Sequence, residues 1–146
     1  MYNIEKINKI IDDTNRFFSD LKSIGLNEKN ISNMEKIHAS AMVIFGIMNR
    51  VIDLAEEILV KNSLPMPTRY KDSFSGLVKL GVIDAKLSKE LENVIEKRNL
   101  FAHHYYENDE KSVLKISKDI YVAKDFVEKV KKHVEKSKKI GKTNEI

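Results

Sequence analysis

The sequence contains no cysteine, so disulfides, thiolate metal sites and cysteine nucleophiles are excluded together. It has only two prolines, Pro65 and Pro67, placed so close that they mark a single loop, because proline resists helix continuation. No apolar run approaches the length needed to cross a bilayer, so no membrane partner is expected. The first residues, Met1-Tyr2-Asn3-Ile4-Glu5-Lys6, lack the basic-then-apolar order of a signal peptide, and the cytoplasm is the expected location. Strand signals are absent as well, since alternating runs are short and isolated. Charge of one sign is scarce: 26 basic residues against 22 acidic ones leave +4, which permits nucleic acid or an acidic partner without demanding either.

What remains is a globular chain of 146 residues, 42% hydrophobic and 33% charged, the size of one ordinary domain with enough chain to bury one core. Neither an internal repeat nor an interdomain linker interrupts it, so residues 1–146 are read as a single domain, with 137–146 as a frayed basic tail. Ile4, Ile7, Ile11, Phe18 and Leu21 line one face of a first helix that runs to about Ile24 and stops at Gly25. Ser32-Asn33-Met34-Glu35 reads as a capping box opening a second helix. Its apolar stripe from Met34 to Leu59 is broad enough to make this the central, most buried element. A short helix over roughly Arg69 to Leu80 ends at Gly81, and Asp84 is placed to cap a fourth helix carrying Leu87, Leu91, Val94 and Ile95 into the Arg98 segment. Asn108-Asp109-Glu110-Lys111 reads as a loop, and a last helix spans about Lys118 to Lys139 with Ile120, Ala123, Val127, Val130 and Val134 on its apolar face. The expected fold is all-α, an up-and-down bundle of about five helices.

The segment from Arg98 to Tyr106, Arg-Asn-Leu-Phe-Ala-His-His-Tyr-Tyr, gathers a permanent cation, two imidazoles and two phenols. Arginine offers a planar fork of donors suited to phosphate, and histidine titrates near neutrality. These serve RNA cleavage without a metal: a base takes the ribose 2′-OH proton, the oxygen attacks the neighbouring phosphorus, and a cation stabilises the charge on the phosphoryl oxygens. The plainer alternative is a set of solvated residues at a frayed helix end, with His104 and the tyrosines as amphipathic packing. In an ideal helix His103 lies about 140° around the axis from Arg98, so the two do not share a face. Asn99 and His103 do stack, while Arg98, Ala102 and Tyr105 form the neighbouring row. A site made from Arg98 and His103 therefore needs the helix to loosen near His103, or a second copy of the chain.

Arg98-Asn99-Leu100-Phe101-Ala102-His103-His104-Tyr105 matches an R-N-x-x-x-H-x-Y form of the R-x4-H-x-Y motif and resembles the HepT family of the HEPN superfamily. The likeness extends to Ile52-Asp53-Leu54-Ala55 in the long second helix, the proline loop, Tyr70-Lys71-Asp72-Ser73-Phe74 and Leu80-Gly81-Val82-Ile83-Asp84. The resemblance implies a toxin encoded beside a minimal nucleotidyltransferase antitoxin, of the type VII kind. It implies a homodimeric, metal-independent ribonuclease with motif helices meeting in a shared cleft, acting on tRNA or mRNA without a cofactor. Carried over by position, Arg98 would stabilise the scissile phosphate, His103 would transfer a proton, and Asn99 would orient the site. Tyr105 would be the tyrosine that the partner modifies with AMP, a charged group that repels RNA phosphate. Because His and Tyr are doubled, His104 with Tyr106 also satisfies H-x-Y; the family's spacing favours His103 and Tyr105, leaving His104 for packing or a secondary RNA contact. The alternative function is a non-catalytic helical module that docks to a nucleotidyltransferase and contributes to nucleotide or partner binding.

Outside the motif, Asp53 is an acidic residue within an apolar stripe and reads either as a solvent-edge carboxylate or as an orienter of Arg98 or a motif histidine. Glu56 and Glu57 read as a solvated face, His38 as a structural histidine, and His133 as a residue without a companion ligand, so no metal site is expected. Lys129 to Lys139 concentrates positive charge, suited to RNA phosphates, to an acidic antitoxin surface or simply to a helix C-terminus. No aromatic platform of the kind used by single-strand readers is visible in the sequence.

Overall fold

The computed structural model describes the backbone of residues 1–103 and 110–144, and side chains through Asn99, at Phe101 and over 110–140. Seven α-helices are present among the described residues. The first, α1 (Ile4–Ile24), starts at Asn3, whose side chain accepts a hydrogen bond from the Lys6 amide, and ends at Gly25 with φ of 64°. That left-handed conformation favours glycine and stops the helix where the sequence predicts. The long α2 (Met34–Lys61) is capped by Asn33, which accepts from the Lys36 amide at 3.2 Å. The capping oxygen therefore comes one residue later than the Ser32 box predicts. Beyond the proline loop, a single 3₁₀ turn (Tyr70–Asp72) leads into α3 (Ser73–Lys79). Asp84 caps α4 (Ala85–Ile95) by accepting from the Leu87 amide at 2.8 Å, as expected.

The next three elements depart from the sequence pattern. The fourth helix does not continue into the motif: the backbone turns at Glu96 and Lys97, and α5 (Arg98–His103) begins afresh. Glu110 and Lys111, expected in a loop, open α6 (Glu110–Asp119). The last helix is α7 (Val122–Asn144), so the stretch from residue 137, expected as a frayed tail, is helical through Asn144. Of the five helices predicted, the first, second, short third and last correspond to α1, α2, α3 and α7, the fourth is divided into α4 and α5, and α6 is an addition that the pattern did not predict.

The helix expected to be central is central: α2 packs against α1, α3, α5, α6 and α7. Its Ile44, Ile47, Met48, Leu54, Ala55 and Ile58 are fully buried. From α1 come Ile7, Phe18 and Leu21; from α7 come Ala123, Phe126, Val127 and Val130. Phe74 on α3 meets Phe126 edge to face, with centroids 5.6 Å apart, which fixes the short helix onto the long one. Glu57, expected on a solvated face, is instead buried and forms an ion pair with Lys6 at 2.8 Å, bridging α2 to α1. That pair raises the Lys6 pKa, chiefly through its hydrogen bond to Glu57. No helix of the described residues is long and apolar enough to cross a membrane.

Candidate active site

Arg98 is the first residue of α5, and restarting the helix there frees its side chain from the α4 register. The guanidinium turns toward α2. Its Nε donates to Asn49 Oδ1 at 2.8 Å, and its central carbon lies 5.2 Å from the centre of the Phe45 ring. Asn49 and Phe45 are one turn apart on α2, so a single helix face supplies both the acceptor and an aromatic surface. Tyr70, from the 3₁₀ turn after the proline loop, adds a second ring 4.7 Å from the same carbon. Three side chains from two elements thus converge on one arginine, fixing the planar fork while it remains half-buried rather than sealed.

The turn carrying Tyr70 is itself held. Lys71 Nζ reaches Glu96 Oε1 at 2.8 Å, joining the turn to the break between α4 and α5, and Arg69 Nε donates to Asp72 at 3.0 Å. Lys71 draws the Glu96 pKa down, first through that hydrogen bond and then through its charge. Glu96, two residues before the motif, and Lys71, the residue beside Tyr70, are therefore anchored to each other.

Asp53 lies one turn beyond Asn49 on α2, but its partner is Arg50, at 2.7 Å. Arg50 in turn faces Asp13 of α1 at 3.9 Å, and Asp13 accepts from Arg16 at 2.7 Å. Among the described contacts the group that orients Arg98 is Asn49, for which the sequence gives no signal. Glu56, next to this ion-pair chain, has its pKa raised by burial and then by the Asp53 charge. Asn99 is exposed on α5. The His103 side chain, together with His104, Tyr105 and Tyr106, lies outside the described residues; the backbone of α5 runs unbroken from Arg98 to His103. Between Arg98 and His103 the helix is therefore not loosened.

His133, read from the sequence only as lacking a companion ligand, is bound within the fold: its Nε2 is 2.9 Å from the Tyr2 hydroxyl, which accepts from Asn62 Nδ2 at 2.7 Å. Among the described residues, no group of three or more His, Asp or Glu side chains is placed to hold a metal ion. A cavity of about 800 Å³ runs between α4 and α6, lined by Glu96, Lys97, Lys115 and Asp119 among others. Its charges alternate in sign, so it offers no concentrated field for an anion.

Residues 3–132 match the family model described as Ribonuclease HepT-like. Solved structures share the fold at low identity. A toxin–antitoxin complex with AMP-PNP aligns with a TM-score of 0.78 and 19% identity, covering 86% of this chain and 96% of that one. The tri-AMPylated Shewanella oneidensis HEPN toxin, in complex with MNT antitoxin, gives 0.77 and 20%, covering 90% and 98%. YutE from Bacillus subtilis, a cytosolic protein of unknown function, gives 0.78 and 18%, covering 94% and 95%. No curated protein matches this chain.

Proposed function

Because the chain belongs to the HepT-like family of the HEPN superfamily, we propose that it is a ribonuclease toxin controlled by a nucleotidyltransferase antitoxin. The observation that carries this reading is Arg98, the motif's cation, fixed by Asn49, Phe45 and Tyr70 yet still partly open to solvent. A guanidinium held in advance stabilises developing phosphoryl charge without reorganising during the reaction. In the proposed reaction a base removes the 2′-OH proton, the 2′-oxygen attacks the adjacent phosphorus, and the 5′-oxygen leaves and takes up a proton. Arg98 compensates the charge on the phosphoryl oxygens, His103 transfers a proton, and Asn99 orients the site. A homodimer brings the two motif helices together, which answers the angular separation of Arg98 and His103 along an unbroken α5. The substrate is RNA, tRNA or mRNA.

Control follows from the same electrostatics. AMP transferred to Tyr105 adds a phosphodiester charge to the motif and repels the substrate phosphate. The solved relatives in complex with MNT antitoxins, one of them tri-AMPylated, support such a partner and such a modification.

The test is intact mass and RNA cleavage for the chain expressed alone and together with a cognate nucleotidyltransferase. The reading expects cleavage by the unmodified chain that persists in chelator and is lost in Arg98→Ala and His103→Ala. It also expects an AMP-sized mass gain on Tyr105 that abolishes cleavage. Turnover that needs a divalent metal would reject the mechanism. A stable complex without modification or cleavage would leave a non-catalytic nucleotidyltransferase-binding module.

A further inference from the structure

We propose that Tyr70 is a stacking platform that seats an unpaired RNA base next to the scissile phosphate; this rests on the ribonuclease reading above. Tyr70 is 49% exposed, unusual for an aromatic ring held on a structured turn. The turn is not free to carry the ring away. Lys71 ties it to Glu96, Arg69 closes it onto Asp72, and buried Ser73 and Phe74 follow at once. The ring is thereby fixed 4.7 Å from the Arg98 guanidinium, and the phenol hydroxyl makes no hydrogen bond among the described residues.

Arg98 lies over one face of the half-exposed ring, so a base stacked on the other face, with its phosphate reaching past the ring edge to the guanidinium, matches the chemistry of one nucleotide. The base offers a π-face to the ring, and its sugar carries the phosphate toward the guanidinium. Phe45 also touches Arg98 but packs against the core, so Tyr70 is the ring left for a ligand. A paired base keeps both faces in its own stack, so the platform selects single-stranded RNA. Stacking accepts every base, and the site therefore confers loose base preference and a strict need for a base.

The test uses the full-length unmodified chain. Oligonucleotides carrying 5-iodouridine at successive positions are irradiated with the His103→Ala variant, and adducts are mapped by mass spectrometry. The expected adduct is on Tyr70, from a nucleotide flanking the cut that the wild-type chain makes. In parallel, Tyr70→Leu should raise KM about tenfold on an intact oligonucleotide, and much less when that nucleotide is abasic, while Tyr70→Phe should retain the wild-type KM. A Tyr70→Leu loss confined to kcat and equal on both substrates would reduce the ring to a support for Arg98 and overturn the proposal. So would adducts only on other residues, or a Tyr70 shielded because a second copy covers it. Absence of cleavage by the wild-type chain would reject the ribonuclease reading, whereas cleavage unaffected by Tyr70→Leu would reject the platform alone.

Discussion

At the scale of single residues, the informative position is Asn49. Its oxygen accepts from Arg98 Nε at 2.8 Å, which fixes one edge of the guanidinium. Hydrogen bonds to charged groups contribute about 1.5–3 kcal/mol. If the tie acts fully in the transition state, Asn49→Ala lowers kcat about ten- to a hundredfold. KM should change little, and Asn49→Asp, which keeps the acceptor, should recover part of the rate. An unchanged kcat in a folded Asn49→Ala chain would show that Phe45 and Tyr70 alone hold the arginine. Arg98→Lys should fail to restore activity, because an ammonium has neither Nε for Asn49 nor a planar face for the two rings. Arg98 itself is legible in the sequence because its chemistry sits in a short motif. Asn49 is not, since a polar residue on a half-polar helix, 49 positions from its partner, leaves no pattern in spacing or composition.

At the scale of elements, apolar periodicity exposes α1, α2, α4 and most of α7, because each buries one continuous stripe. It misses the break at Glu96 and Lys97, where neither glycine nor proline interrupts the chain and Ile95 and Phe101 are buried on both sides. It also misses α6, a ten-residue helix whose polar first turn looks like the loop before it. The join between α1 and α2 rests on a detail of a different kind. A Cβ added at Gly46 would lie 2.9–3.2 Å from three atoms of the Phe17 ring, so glycine is what lets these helices approach. Replacing a mid-helix glycine by alanine ordinarily gains about 0.5–1 kcal/mol. Overpacking a tight contact costs about 1–3 kcal/mol, so Gly46→Ala should be net destabilising by about 1 kcal/mol. Denaturant unfolding measures this directly. Combining Gly46→Ala with Phe17→Leu should recover the loss, and a single variant more stable than the parent would show that the Phe17 ring moves aside freely.

At the scale of the whole molecule, the segment before the first helix is joined to the middle of the last one. The Tyr2 hydroxyl, just before α1, meets His133 of α7 and Asn62 at the end of α2, and the Tyr2 and His133 rings pack edge on at 5.8 Å. Asn62 Nδ2 also donates to the Ile58 carbonyl, so the tie reaches the last turn of the central helix. Burial, and then the Lys136 charge, hold the His133 pKa below its usual value. The folded state therefore favours neutral imidazole, whereas the unfolded chain takes up its proton near pH 6.5. Between those two pKa values the unfolded state binds more protons, so stability rises with pH. The contribution is complete above about pH 6.5 and is lost as pH falls through the lower, folded-state value. Denaturant midpoints at pH 5.5 and 7.5 should accordingly differ more for the wild-type chain than for His133→Gln, which keeps a polar side chain but cannot titrate. Every other ionisable group is common to both proteins and drops out of the comparison. Equal pH dependence in the two would mean that protonated His133 is accommodated between Tyr2 and Lys136, and that the tie between Tyr2 and the last helix does not depend on its charge.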